Sequence, residues 1–350
     1  MRGSAAAPYD RFAVRQVTYI EPGRLEWWDV DPPELQGDGE ALVEPVAVAT
    51  CDLDSAIVNG LTPYPGPFAF GHECVARVVE AGDAAGATER GSLVSVPFQI
   101  SCGACDKCRR GLTGNCASVP RLSMYGFGEF GGNWGGFLSD VVRVPYAEHM
   151  LTPLPEGVST EAAASVSDNL ADAWRTVGPP LEEMPGAEVF IAAATPSLGL
   201  YAAAIALALG ASRVVYTDPS ESRRARAAEL GAESLDWLPE RPGRFPITVN
   251  VTADRAALAL VLHSTAPDGV CTNAGIYFEQ ETPIPLLEMY TKCTTLHTGR
   301  VHAQPIAPRL LEMIADGRLR PERVVGTTIA WDDAAAALAD HREKLVIARS

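Results

Sequence analysis

The chain has 350 residues, 47% hydrophobic and 21% charged, with a net charge of −16 and a sequence pI near 4.8. That hydrophobic fraction excludes a disordered chain, and the length suggests about two globular domains. Forty-four acidic against 28 basic residues, with no basic run, repel phosphate backbones and anionic lipid, so neither a nucleic-acid nor a membrane-surface partner is expected.

Met1 to Asp10 carries one Arg but no apolar run, so no signal peptide is read there. From residue 12 to about 100, short Val-containing segments broken by Pro and Gly predict a β-rich domain. Examples are Ala41-Leu42-Val43, Cys74 to Val79 and Leu93 to Val96. A cysteine lobe occupies residues 102–116, and a glycine- and aromatic-rich loop, Gly126 to Gly136, precedes a strand at Phe137–Val144.

The texture changes near Pro155. Alanine-rich helical stretches alternate with apolar strands expected at Val189–Ala193, Arg213–Thr217, Ile247–Val251, Gly269–Asn273 and Thr294–Thr298. That alternation argues for right-handed βαβ units and a parallel sheet covered on both faces. Val189 to Ala211 is uncharged and long enough to span a bilayer, but Thr195-Pro196-Ser197 interrupts it. A buried strand, a turn and a buried helix explain it better. An amphipathic helix at Ile306–Asp316 and a strand at Leu345–Ala348 are expected to return to the first domain. The division is thus 1–154 completed by 301–350, and 155–300.

Eight cysteines in a chain of cytoplasmic character point to metal ligands rather than disulfides. Cys102, Cys105, Cys108 and Cys116 have the spacing to surround one tetrahedral Zn²⁺ with no position left for water, a structural site. Gly103 and Gly111 allow the turns, and Lys107, Arg109 and Arg110 offset the tetrathiolate charge. An iron–sulfur cluster and four free thiols stay as alternatives.

Three other signals are each weak alone. Cys51 sits in Thr50-Cys51-Asp52-Leu53-Asp54, His72 in Gly71-His72-Glu73, and Asp168 just before an expected helix at Leu170–Val177. Together they offer a thiolate, an imidazole and a carboxylate, three ligands that leave a fourth position on Zn²⁺ open for Lewis-acid work on an alcohol oxygen.

In this order, the Cys-x-x-Asp, the Gly-His-Glu, the four-cysteine lobe and the βαβ half resemble the zinc-containing medium-chain dehydrogenase/reductase family, from about Phe12 to Ile347. The resemblance implies an α/β chain with a GroES-like β-barrel catalytic domain and a Rossmann-type doubly wound parallel sheet. It implies two zinc ions per chain, Cys51, His72 and Asp168 as ligands of the catalytic one, and Glu73 as a carboxylate able to approach that metal. It also implies hydride transfer between an alcohol or polyol, or the matching carbonyl, and NAD(P), in a homodimer or homotetramer.

The dinucleotide turn departs from the family pattern. It reads Ala193-Ala194-Thr195-Pro196-Ser197-Leu198-Gly199, keeping only the last glycine before a helix at Leu198–Leu209. Backbone N–H groups of Ser197, Leu198 and Gly199 are the expected phosphate donors. Asp218 ends the next strand at the ribose-binding distance, with Arg223 as a second contact, which favours NAD over NADP. Asp218 also reads as a helix cap, and Arg223 with Arg224 as a phosphate site.

Near the reaction centre, Leu53 and Ala56 stand where relatives carry a proton relay. Asp168 and Asp172 would share a helix face, so Asp172 or Glu73 is the expected proton-handling group, an ordinary ion pair being the alternative for Asp172. Asp52, Asp54 and His297 are polar groups compatible with a hydroxylated substrate. Two rival readings are the same fold with altered chemistry and a zinc-stabilised, non-catalytic homologue that has lost its cofactor.

Overall fold

The computed structural model describes residues 13–86, 89–340 and 343–349, so the N-terminal stretch read for a signal peptide lies outside the described residues. The chain divides into two units, Met1–Asp168 with His302–Ala315 and Val325–Ser350, and Asn169–Val301 with Asp316–Val324.

The first unit is built on β-strands. Its larger sheet has seven strands, ordered Thr327–Ala330, Leu345–Ala348, Ala41–Ala49, Glu73–Ala81, Leu93–Val96 and Thr152–Pro153, with Val142–Val144 also paired to Ala41–Ala49. A smaller sheet joins Arg24–Val30, Val14–Glu21 and Phe68–Ala69. Pro45 has no N–H to give the ladder, and the register against Glu73–Ala81 shifts beside it, between Pro45 and Ala47. Such irregularities bend a strand and increase its twist. The C-terminal strand lies antiparallel to Ala41–Ala49, Ile347 opposite Val48.

The first break between the two units in the chain falls between Asp168 and Asn169. Residues 164–167 form a 3₁₀ turn stitched to the first unit's strands. The Ser167 hydroxyl accepts from the Cys74 N–H at 2.8 Å, and its carbonyl accepts from the Phe98 N–H at 3.4 Å. Residues 316–324 go instead with the second unit, where Arg226 Nη1 donates to the Val324 carbonyl at 3.3 Å.

The second unit is a six-stranded parallel sheet ordered Glu233–Leu235, Val214–Thr217, Val189–Ala193, Phe245–Val251, Thr265–Asn273, Thr295–Thr298. Numbered along the chain this is 3-2-1-4-5-6, the dinucleotide-binding order, with its reversal beside Val189–Ala193. Every residue of that strand is buried, as expected of a strand covered on both faces. Phe190, Val215, Phe245, Leu258, Val261, Leu262 and Met289 form a core on the sheet.

The apolar stretch from Val189 resolves into this strand, a turn and the helix Leu198–Ala208. The helix stops where Gly210 takes φ +82° and the Ala211 N–H reaches back to the Ala206 carbonyl at 3.0 Å. Among the described residues, no helix is long and apolar enough to cross a membrane. The strand Glu233–Leu235 was not expected, being short and polar. His297 lies exposed on the edge strand.

Candidate metal centres and dinucleotide turn

Cys51 is the N-cap of the helix Asp52–Val58, with extended backbone that turns its side chain out of the helix. Its N–H donates to Asp54 Oδ2 at 2.8 Å. Gly71 holds φ +91°, and a Cβ there would press on Leu138 at 3.0 Å, so the backbone enters His72 along a path that favours glycine. Ser167, anchored to Cys74 as described, leaves Asp168 beside His72. Nε2 of His72 lies 3.3 Å from Asp168 Oδ2, and Nδ1 lies 3.3 Å from Asp54 Oδ1.

Ligand atoms of Cys51, His72 and Asp168 all fall within 4.8 Å of one another, and the three side chains are nearly enclosed. Burial alone would lower the pKa of the His72 imidazole, yet Asp54 and Asp168 on its two sides raise it to about 10. The Cys51 thiol is pushed up, first by burial and then by Asp168, Glu73 and Asp54. A buried cluster of such excess negative character is the environment a divalent cation stabilises, because the ion holds the thiolate ionised and the imidazole neutral. The donor set therefore fits zinc.

Glu73, expected as a further carboxylate of this metal, is turned to Lys344 instead. Its Oε2 is 2.6 Å from Lys344 Nζ, both side chains being almost fully buried, and Lys344 also donates to the Thr50 carbonyl. Burial raises the Glu73 carboxyl to about 7 despite Lys344. Asp172 is likewise engaged, by Arg175 three residues on. The expectation that Asp168 and Asp172 share a helix face does not hold. Asp168 has φ −152° and ψ −86°, outside helical backbone, and the helix begins after it, at Asn169.

In the lobe, the sulfurs of Cys102, Cys105, Cys108 and Cys116 lie within 4.8 Å of one another, with Cys105 and Cys116 3.9 Å apart. Sulfurs about 2.3 Å from a tetrahedral zinc are separated by about 3.8 Å, so the cage fits that ion. Backbone N–H groups of Cys105, Ala117 and Ser118 each point at a sulfur at 3.4 Å. The N–H groups of Ala117 and Cys108 lower the Cys105 thiol to about 6, whereas burial lifts Cys108 to about 12. Gly103 takes φ +73° against the His149 ring, where a Cβ would collide at 2.7 Å.

At the dinucleotide turn, Gly199 keeps the role of the last glycine. A Cβ there would lie 2.4 Å from that of Ala193, so only glycine lets the helix approach the strand this closely. Ser197 is wholly buried and its hydroxyl accepts from Asn169 Nδ2 at 2.8 Å. Thr195 Oγ1 is enclosed and has no hydrogen-bond partner. The start of the helix Leu198–Ala208 fits a phosphate through its backbone N–H groups.

Asp218 is at the end of Val214–Thr217 but fully buried. Its oxygens accept from Tyr216 Oη at 2.9 Å, the Ser220 N–H at 2.8 Å, and Arg223 Nε and Nη2 at 2.9 and 2.8 Å. Sequence reasoning placed Asp218 and Arg223 as neighbours but not as this closed pair. It also passed over Asp54 as the partner of His72, although the Cys-x-x-Asp spacing was a signal. Nothing in the sequence pointed to Lys344.

Residues 37–156 match the model of the alcohol dehydrogenase GroES-like domain, and residues 197–316 that of zinc-binding dehydrogenases. The chain belongs to the zinc-containing medium-chain dehydrogenase/reductase family. It is similar to a probable zinc-binding alcohol dehydrogenase of Mycobacterium tuberculosis, 29% identical over 89% of this chain and 81% of that one. It is also similar to a glutathione-independent formaldehyde dehydrogenase of Bacillus subtilis, 29% identical over 93% of both chains. Among solved structures, the alcohol dehydrogenase of Thermus sp. ATN1 superposes with a TM-score of 0.87 at 28% identity, over 96% of this chain and all of the other. The chain is accordingly a zinc-dependent oxidoreductase of the alcohol dehydrogenase type, not a non-catalytic scaffold.

Proposed function

We propose that this family member oxidises an alcohol, or reduces the matching aldehyde or ketone, at a zinc held by Cys51, His72 and Asp168, with NAD as the hydride carrier. The observation that supports this most is the convergence of those three donors, drawn from separate stretches of chain, within 4.8 Å. Zinc there would supply Lewis acidity to a substrate oxygen, and nicotinamide the hydride acceptor. Two anionic ligands balance the dication, and Asp54 fixes the orientation of the imidazole.

The lobe would hold a second, structural zinc. Its four thiols leave no open position, so its contribution is to the fold. Leu53, Ala56 and the paired Asp172 offer no relay for the alcohol proton, and we assign that proton to solvent. Glu73, held by Lys344, acts on the metal through its field.

The carboxylate of Asp218 supports NAD, since a 2′-phosphate beside it would be repelled. For the ribose hydroxyls to reach it, Arg223 must give up at least one of its two bonds. Relatives named for alcohols and formaldehyde support a small alcohol or aldehyde as substrate. The exposed Leu286, Leu287 and Tyr290, on a helix that leads into the edge strand Thr295–Thr298, support self-association. Eight free cysteines suit a cytoplasmic, reducing compartment.

The test is nicotinamide-linked turnover of a panel of primary alcohols, polyols and the matching aldehydes. The zinc-loaded enzyme is expected to convert one class and His72→Ala to convert none. Absence of turnover in either direction with NAD and NADP would contradict the proposal.

A further inference from the structure

Cys51, His72 and Asp168 lie on three separate stretches of chain, and a ligand is placed only as accurately as the groups that hold its backbone. One buried side chain is bonded into two of these stretches and linked to the third. Lys344 precedes the C-terminal strand Leu345–Ala348, and its Nζ donates to the Thr50 carbonyl, the peptide that leads into Cys51. The same Nζ is 2.6 Å from Oε2 of Glu73, the residue after His72. Glu73 in turn accepts from the Ser165 hydroxyl, and the Ser165 carbonyl accepts the Asp168 N–H at 3.3 Å. Leu345 fastens the first stretch again. Its N–H donates to Thr50 Oγ1 and its carbonyl accepts the Thr50 N–H, both at 3.0 Å.

We infer that Lys344 is a positioning residue of the catalytic metal centre, its ammonium fixing the spacing between the stretches that carry Cys51, His72 and Asp168. The inference rests on the reading of those three residues as zinc ligands. A buried ion pair is a poor source of stability, because apolar residues of similar size often do as well or better, so a role in geometry accounts for it more fully. An ammonium suits that role, having three donors on one nitrogen and no acceptor, and a carbonyl and a carboxylate both take from it here. With 1% of its side chain exposed, Lys344 reaches neither substrate nor cofactor and acts only through the segments it joins.

The experiment compares the wild type with the double variant Lys344→Met, Glu73→Gln. Both charges go together, so none is stranded, the fold is kept and the net charge beside the metal is unchanged. Zinc retention at each centre is measured by chelator competition. The catalytic centre is then loaded with cobalt(II), whose visible absorption reports the geometry of its ligands. The double variant is expected to hold the catalytic ion about 10–100-fold more weakly and to show an altered cobalt spectrum, while the lobe ion is held as in the wild type. Retention within twofold of wild type with an unaltered spectrum would overturn the inference. So would equal weakening at both centres, which marks a damaged fold rather than misplaced ligands. A wild type that takes up no ion besides that of the lobe would instead remove the metal-centre reading on which the inference stands.

Discussion

Asp54 Oδ1 stands 3.3 Å from Nδ1 of His72, while the other ring nitrogen lies 3.3 Å from Asp168. The imidazole is therefore clamped between Asp168, the carboxylate we propose as a ligand, and Asp54, which orients the ring. Asp54→Asn keeps an acceptor for the Cys51 N–H but removes the charge behind the ring. It should weaken metal retention at this centre about 10–100-fold, measured by chelator competition, with the lobe metal unaffected.

Lys344 and Glu73 form a pair that is almost fully buried. Removing one partner of a buried pair strands the other, at a cost of about 3–5 kcal/mol. Lys344→Met should lower the midpoint of chemical denaturation accordingly. Adding Glu73→Gln should recover a large part of the loss, because the stranded charge is gone. Equal destabilisation by the single and double variants would deny the pairing.

Much of the site was legible because its chemistry is written in rare residues at fixed spacing. The lobe needs four thiols within fifteen residues, and no other arrangement of Cys102 to Cys116 surrounds an ion as simply. The parallel sheet was legible because strands such as Val189–Ala193 are continuous apolar runs. The proton-handling roles were not, since Asp172 and Glu73 acquire their partners, Arg175 and Lys344, only in the folded chain. Lys344 is 271 residues from Glu73, a pairing no local pattern encodes. Asp168 leaves helical backbone just before the helix starts, so it shares no helix face with Asp172.

Asp172, bound to Arg175 on its own helix, is expected to be a bystander in proton transfer. Asp172→Asn should leave the pH–rate profile in place, with at most a modest fall in stability. A shifted or flattened profile would return Asp172 to the reaction.

Asp140 gives an acid-stability prediction. Burial opposes its ionisation, but Arg349 and Arg15 together hold the carboxyl below its ordinary value of 3.8. The folded pKa is the lower one, so this stabilisation is present above pH 3.8 and is lost as pH falls through the folded value. Asp140→Asn should therefore lower the thermal midpoint at neutral pH and make little difference at the acid end of that window. A variant equally destabilised at both ends would contradict the assignment.

The most direct test of the catalytic centre is the zinc content of the purified enzyme beside Cys51→Ser and Cys108→Ser, by elemental analysis. Two zinc ions are expected per wild-type chain and one in Cys51→Ser, the remaining ion resisting chelators. In Cys108→Ser it is the lobe ion that should be lost. One ion in the wild type, or two retained in Cys51→Ser, would mean that Cys51, His72 and Asp168 do not share a metal.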